Sequence, residues 1–479
     1  MGANNSLDKS LQELWHWGKS DLDGLVDYTF ALQSRLRHLQ DAAAQNSHNS
    51  SRPPSTDRGE RPKPQSLRGK SGRKPGAQPH HPGRTLPFTN DPDHIKIHPL
   101  DNCQRCGEDL RHQPVIDYAA RQVYDLPSLK LECTENRAEI KDCPGCDCIV
   151  TAPFPADVKA PVQYGKNFRA LLAYLYDAQV GTSRRIREMC AEMFGYAVSE
   201  GTLQSARQEQ YEALEPFEER LVQILPEQPV LNADETSLPI NQLTHWLHVL
   251  CTPLLTFFSV QLARGKEAIE AIGIIPRFAG WLMHDFLSSY LSFENCLHTF
   301  CKGHLLRELV FLFEEHQQKW AKDLHDLFLE MWRATKARKA RDAPWREAEV
   351  DQWYERYWKI LRAGRRANPL TAEQKVKKRR KQSKEQNLLD RLESYDQCIL
   401  AFLADLELPF TNNEAERPLR MMKVRVKVSG CFRTLIGARR HARIRSYIST
   451  VRKHALPVLE QLRRALDGQP FLPEASKTT

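Results

Sequence analysis

No apolar run in the 479-residue sequence approaches the ~18–20 residues that a membrane-spanning helix needs. The opening stretch MGANNSLDKSLQELWHW lacks the basic-then-apolar build of a secretory leader. Both absences point to an intracellular chain with no membrane partner. Acid is missing altogether from Arg417 to His454, where twelve Lys and Arg residues stand with no Asp or Glu. A solvated surface normally mixes both signs, so this block reads as a contact for a polyanion. From Arg52 to Arg84 nine basic residues face two acids. The whole chain carries 69 Lys and Arg against 60 Asp and Glu, a net charge of +9, so the body between these blocks is mildly acidic. Nucleic acid is the polyanion that fits best, because phosphate neutralisation supplies most non-specific affinity. With 41% hydrophobic and 27% charged residues, the chain is not wholly disordered and is long enough for several cores.

Composition divides the chain into seven segments. Residues 1–46 carry helically spaced Leu7, Leu11, Leu14 and Trp15, then Leu32, Leu36 and Leu39. Gly18, Gly24, Asp21 and Asp23 interrupt that stripe, which predicts two helices or a broken coiled coil. Dimerisation and packing on the body are both open. Residues 47–90 form a Pro-, Gly- and Ser-rich basic arm, in which Arg73 and Lys74 sit in an extended turn suited to phosphates. Residues 91–160 hold Cys103-x-x-Cys106 and Cys143-x-x-Cys146. In a chain without a leader, paired CxxC turns read as a structural Zn²⁺ site of four thiolates. Strand-like stretches at 122–126 and 129–133 complete the picture of a zinc ribbon, while Cys133 and Cys148 leave the ligand set open. Residues 161–225 read as helical, with 183–194, Gly195 and 199–208 laid out as helix, turn and helix. That layout suits either a DNA-binding helix-turn-helix or an ordinary hairpin.

From Pro229 the pattern becomes mixed α/β. Residues 230–233 form a short strand ending at Asp234, 246–251 and 255–262 two more, 269–275 a helix, and 281–283 a strand leading to His284-Asp285. Neighbouring strands would bring Asp234 and Asp285 together, and such a pair is costly unless it holds a cation. Oxygen ligands favour Mg²⁺ or Mn²⁺. Residues 226–300 are thus the first part of a core, 301–405 an all-α insertion containing Trp320, Trp332, Trp345, Trp353 and Trp358, and 406–479 the closing part. The run at 375–384 is a basic loop, and Cys301 and His304 share a helix face beside the core. A helix begins near Thr411, the expected N-cap, with Glu414 as its capping-box partner. Glu416, Arg420, Lys423 and Lys427 share one face of that helix, a carboxylate backed by a basic ladder. Arg307, Arg417 and Arg433 join them as candidate phosphate contacts.

Six stretches in this order resemble the IS66 family of bacterial transposases: GRKPGAQPHHPGRTL at 72–86, the paired CxxC element, LNADET at 231–236, HDFLSSY at 284–290, CKGHLLREL at 301–309 and TNNEAERPLRMMKVRVKVSGCFRT at 411–434. The resemblance implies a DDE-type enzyme with a ribonuclease-H-like mixed-sheet core and an all-α insertion, preceded by a zinc ribbon and N-terminal helices. It implies that Asp234, Asp285 and Glu416 are the catalytic acids and hold two Mg²⁺ (or Mn²⁺) ions. It implies double-stranded DNA as substrate, both terminal inverted repeats and target. A homodimer or larger assembly on paired ends, accessory proteins of the same element, and a bacterial cytoplasm with the nucleoid as workplace follow in the same way. A non-cleaving regulator descended from a transposase, another nuclease of the ribonuclease-H superfamily, and a zinc-stabilised scaffold are the rival readings. The three acids separate an enzyme from a pure binder. Sequence-specific recognition of ends is expected from the zinc element and the 183–208 helices. Removing residues 1–160 should therefore abolish the preference for element ends in competition binding, yet leave Mg²⁺ binding by the core.

Overall fold

The computed structural model describes residues 21–50, 52, 57, 86–370 and 382–475. The Leu7–Trp15 stripe, Arg73, Lys74 and most of the basic loop at 375–384 lie outside the described residues. Helix α1 (Leu22–Ala44) starts at Asp21, whose carboxylate accepts the Gly24 amide at 2.8 Å. Asp21 therefore opens the helix that carries Leu32, Leu36 and Leu39, and Asp23 and Gly24 lie within its first turn. Its other end is tied to the body, because Asp41 lies 2.9 Å from His316 and 3.0 Å from Lys384.

The cysteine segment contains one antiparallel hairpin, β1 (Ile140–Cys143) with β2 (Cys148–Thr151), in which Cys143 faces Cys148. The stretches at 122–126 and 129–133 join no ladder, contrary to the expectation of strands there. They lack a partner strand to bond with, and a strand exists only as part of a sheet. A helical layer follows: α2 (Lys166–Ala173) running into a π turn at Tyr174–Ala178, then α3 (Ser183–Phe194), α4 (Glu200–Ala213) and α5 (Glu215–Ile224). Gly195 ends α3 at φ 74°, a left-handed cap that favours glycine.

The central sheet has five strands: β3 (Val230–Ile240), β4 (Leu243–Cys251), β5 (Thr256–Gln261), β6 (Trp281–His284) and β7 (Leu297–Phe300). Their order is β5-β4-β3-β6-β7. β3, β4 and β5 are antiparallel, while β6 and β7 run parallel to β3. Two of these features escaped the sequence reading. β3 runs on past Asp234 to Ile240, so Asp234 is mid-strand, and β7 is a fifth strand. Thr236-Ser237 and Pro239 weaken the strand pattern, but nine cross-strand pairs with β4 hold the extension in place. The Asn241-Gln242 turn, with φ 46° and 64°, closes that hairpin. Between β5 and β6 lies α6 (Lys266–Ile272), and between β6 and β7 the single turn α7 (Ser288–Leu291).

Both sheet faces are covered, which is why the centre of β3 is buried at Leu231, Asn232 and Ala233 in succession. One core gathers Phe217, Leu221 and Leu231 with Phe278, Tyr447 and Ile448. The opposite face packs Leu238, Leu247, Val249 and Phe258 against Ala415, Leu419 and Met422. Among the described residues, five helices follow β7, α8 (Lys302–His316), α9 (Lys319–Lys339), α10 (Glu347–Ala367), α11 (Lys384–Ser394) and α12 (Asp396–Ala404), around a core of their own. Trp320 is in that core, and Trp332, Trp345, Trp353 and Trp358 pack against it. The chain then returns to the sheet as α13 (Asn413–Ser429), α14 (Leu435–Lys453) and α15 (Val458–Leu466).

Gly280 lets β6 approach β3. A Cβ there would lie 2.5 Å from the Pro229 carbonyl oxygen and 2.8 Å from that of Gln228. Trp281 N donates to the same Pro229 oxygen at 2.8 Å. Gly280→Ala should therefore destabilise the protein by about 1–3 kcal/mol, read as a lower urea midpoint. An unchanged midpoint would mean that the β3–β6 junction is not tightly packed.

Candidate active site

Parallel pairing sets Asn232 opposite Met283, and two residues further on in each segment comes an acid, Asp234 within β3 and Asp285 just past the end of β6. Asp234 accepts the Glu235 amide at 2.8 Å, and Asp285 accepts the Leu287 amide at 2.9 Å. Burial, followed by the neighbouring Glu235 and Asp285 carboxylates, pushes the Asp234 carboxyl up to about 7. Glu235 is better provided for. It accepts the Tyr290 hydroxyl at 2.8 Å and Arg264 Nε at 2.7 Å. Arg264 lies 3.9 Å from Asp285 as well. Arg264 thus serves two of these three carboxylates, Glu235 and Asp285, and the negative charge left over fits a hard cation held by Asp234 and Asp285.

Glu416 comes to the same sheet from α13, one turn into the helix. The N-cap is Asn412 and not Thr411, and its side chain does not cap the helix. It is spent elsewhere: Asn412 Nδ2 donates to the Ala233 carbonyl at 2.7 Å, and its Oδ1 accepts from Asn232 Nδ2 at 2.9 Å. The Asn412 amide donates to the Cys301 thiol at 3.2 Å. Glu414 is not a capping-box residue either. It lies 4.0 Å from Arg417 and 3.8 Å from Lys453. Cys301, His304 and Glu416 form the group of three metal-ligating residues, among those described, whose ligand atoms all lie within 4.8 Å of one another. Asp234, Asp285 and Glu416 are not drawn that tightly together. Burial opposes the charged form of His304, but the Cys301 thiol, and more weakly Glu416, outweigh it and push the imidazole up to about 9.

The basic block divides in two. Arg417, Arg420, Lys423, Lys427 and Arg433 are exposed, and Arg420 lies 3.8 Å from Glu416. Arg425, Arg443 and Arg445 turn inward. Arg443 bonds Glu218 at 2.7 Å, and Arg445 donates to the Asp177 carbonyl at 3.2 Å. A block without acids is therefore not wholly a DNA face, because acids on other elements neutralise part of it. Arg307 is half-buried, and its Nε has no hydrogen-bond partner. In the helical layer, α4 keeps Leu203, Ala206, Arg207 and Gln210 buried and presents Glu200, Gly201, Ser205 and Glu212 to solvent. The exposed basic residues of the pair, Arg184, Arg185 and Arg187, belong to α3.

Each CxxC pair sits on its own turn. Gly107 N donates to Cys103 O at 2.8 Å beneath an Asn102–Asp109 bridge. Cys143 and Cys146 close the β1–β2 hairpin. Backbone amides of Arg105, Cys106 and Gly107 hold the Cys103 thiol below its usual range, as thiolate ligation requires. Cys148 instead donates to the Cys146 carbonyl at 3.3 Å. The two turns are not brought within ligand distance of each other.

Sequence reasoning missed Glu235, Arg264, Asn232 and Asn412. Alternation along a strand aims Glu235 away from Asp234, and only the tertiary structure shows Arg264 and Tyr290 converging on it. The double Asn of TNNEAER was the available signal for Asn412, hidden by the assumption that an Asn before a helix is a cap.

A family model described as Transposase IS66 family matches residues 161–440, more than half of the chain. A second, a family of unknown function (DUF6444), matches residues 3–87. No curated protein matches the chain.

The raised Asp234 carboxyl has a stability consequence. Its folded-state value of about 7 exceeds the ordinary aspartate value of 3.8, so its destabilising effect builds as pH rises between the two and is complete above about 7. Asp234→Asn should therefore melt higher than the wild type at pH 8 in EDTA, by about 2–4 °C for each kcal/mol relieved. The difference should vanish near pH 4. Mg²⁺ should raise the melting temperature of the wild type and not of the variant. Equal stabilisation of both would remove Asp234 as a cation ligand.

Proposed function

Because the chain belongs to the IS66 family of transposases, we propose that it binds the terminal inverted repeats of an insertion sequence, cuts the DNA strand there and joins the freed end to a target. The observation that carries this reading is Asp234 on β3 beside Asp285, which follows the end of the parallel strand β6, with Glu416 entering the same sheet from α13. Three antiparallel strands followed by two parallel ones, in the order β5-β4-β3-β6-β7, support a ribonuclease-H-like core.

Asp234, Asp285 and Glu416 would hold two Mg²⁺ or Mn²⁺ ions. Bound there, the ions supply Lewis-acid activation of the attacking hydroxyl and neutralise charge on the leaving 3′ oxygen. The protein's part is placement. The sheet fixes two acids by backbone register, and α13 delivers the third. Arg420, Lys423 and Lys427 continue outward from Glu416 on the same helix face, where they would seat the phosphates flanking the reacting one. Water attacks in line at phosphorus and releases a 3′-hydroxyl; that hydroxyl then attacks a target phosphodiester. Neither step needs a covalent bond to the protein. Tyr290 therefore has no nucleophilic role. It is buried and donates to Glu235, and burial raises its hydroxyl well above the usual range.

The paired CxxC turns would bind one structural Zn²⁺ through Cys103, Cys106, Cys143 and Cys146. The thiolate-favouring amides at Cys103 support this reading. Assembly as a homodimer or larger on paired ends, with accessory proteins of the same element, belongs to the same proposal. Among the described residues no helix is long and apolar enough to cross a membrane.

The test is a transposition assay with the gene and its natural flanking DNA on a donor plasmid. Excision junctions and new insertions are expected from the wild type. For Asp234→Asn they should fall by about 10³-fold or more, while binding to the flanks stays within about 3-fold. Near-wild-type events from the variant would overturn the assignment of the acids. No events from the wild type, even with the neighbouring genes co-expressed and the flanks bound, would favour a non-cleaving regulator.

A further inference from the structure

A cavity of about 660 Å³ opens at the far end of α13, bounded by α3, α4 and the turn leading into α14. Its lining is strongly basic: Arg184, Arg207, Arg425, Arg433 and Arg440, against the single carboxylate Glu200. The starts of three helices line it as well. α3 is capped by Thr182, α4 by Ser199 and α14 by Thr434, and each cap side chain accepts from its own helix. The first turns of all three contribute lining residues, Ser183, Glu200 and Gly437. Helix starts add partial positive charge to that of the guanidinium groups.

The protein neutralises only part of this charge: Arg184 pairs with Glu188 at 2.8 Å and Arg207 with Asp177, while Arg425, Arg433 and Arg440 have no ion pair among the described residues. Asp177, beneath the cavity, is already engaged by Arg207 at 2.8 Å and His441 at 2.6 Å. Arg425 is buried yet spends Nη1 on a neutral acceptor, the Gly181 carbonyl, at 3.0 Å. Arg440 bonds the amide oxygens of Gln204, at 3.1 Å, and Gln208, and its buried Nε has no partner. Tyr176 is clasped between Arg207 and Arg425, whose guanidinium carbons lie 3.8 Å and 4.0 Å from its ring centre. That stacking holds both guanidinium planes in place without taking up their charge. Burying a cation without a counter-charge is costly, and an anionic ligand would offset that cost.

The geometry points to this cavity as a phosphate-binding site that clamps the DNA backbone away from the reacting phosphodiester. The inference rests on DNA being the substrate. The distance fits: from Glu416 to Val428 on the cavity rim is twelve residues of helix, ~18 Å at ~1.5 Å per residue. That is about five base steps of duplex at ~3.4 Å each. The rim is also fixed to the catalytic strand, because Asn241 N donates to Phe432 O at 2.8 Å and Phe432 N to Pro239 O at 3.0 Å. A phosphate seated here would hold the duplex in register with Asp234 through β3 and with Glu416 through α13.

The test uses the full-length protein and reads binding alone, so a failure to cleave DNA would leave it untouched. Affinity for a fluorescent 30-base-pair duplex is measured against salt for the wild type, Arg433→Gln and Arg440→Gln. Each variant should weaken binding several-fold and lower the slope of log affinity against log salt by about 1. Arg433 is exposed, so Arg433→Gln keeps the test valid even if Arg440→Gln folds poorly. Inorganic phosphate is the second probe. It should raise the wild-type melting temperature, and this effect should be reduced in the variants. Stabilisation by inorganic phosphate with an unchanged duplex slope would assign the cavity to a free anion and overturn the DNA clamp. An unchanged slope with no phosphate effect would overturn the site altogether.

Discussion

The arrangement of the acids depends on one buried side chain. Asn412 joins Asn232 and the Ala233 carbonyl of β3, and its backbone amide reaches the Cys301 thiol at the start of α8. Three segments far apart in the chain meet at a side chain that is 1% exposed. Inside a protein such bonds are strong, and losing one strands a polar group away from water. Ala233 precedes Asp234, and Glu416 follows Asn412 by one helical turn. The tie therefore sets the spacing between the sheet acids and the helix acid. It also returns the chain to the sheet after the long helical insertion between β7 and α13.

Charge organises what surrounds that tie. On the sheet, Asp285 and Glu235 share Arg264, and burial, with the neighbouring carboxylates, raises Asp234 far above its ordinary range. On the outer face of α13 the sign reverses along Arg420, Lys423 and Lys427, and beyond them lies the arginine-lined cavity, only partly neutralised by Glu188 and Asp177. Neither half is arranged for the stability of the isolated chain. On the proposed reading, a cation at the acids and a polyanion along the basic track would neutralise these opposite charges. The cost is borne by the two covered sheet faces, where apolar cores pack from Phe217 to Tyr447 on one side and from Leu238 to Met422 on the other.

Much of this was legible in residue patterns. The short apolar runs before Asp234 and Asp285, the helix carrying Glu416, the tryptophan-bearing helical insertion and the paired CxxC turns were all found where the periodicities placed them. What went unread depended on partners distant in sequence. The extension of β3 through Thr236, Ser237 and Pro239 looks like a loop until β4 is laid beside it. The stretches at 122–126 and 129–133 look like strands, yet nothing lies beside them. Arg425, Arg443 and Arg445 are indistinguishable by sequence from their exposed neighbours.

The sequence by itself determined which residue types are present and in what local order: acids after apolar runs, a basic ladder at helical spacing, thiols two residues apart, and membership of a transposase family. Local periodicity carries that information because helix and strand repeat within a few residues. Only the tertiary structure decided which strand lies beside which, that Asn412 ties a sheet and is not a cap, that Glu416 stands against Cys301 and His304, and which arginines turn inward. Those outcomes follow from burial and from electrostatic pairing across tens to hundreds of residues. Such pairings are settled when the whole chain packs.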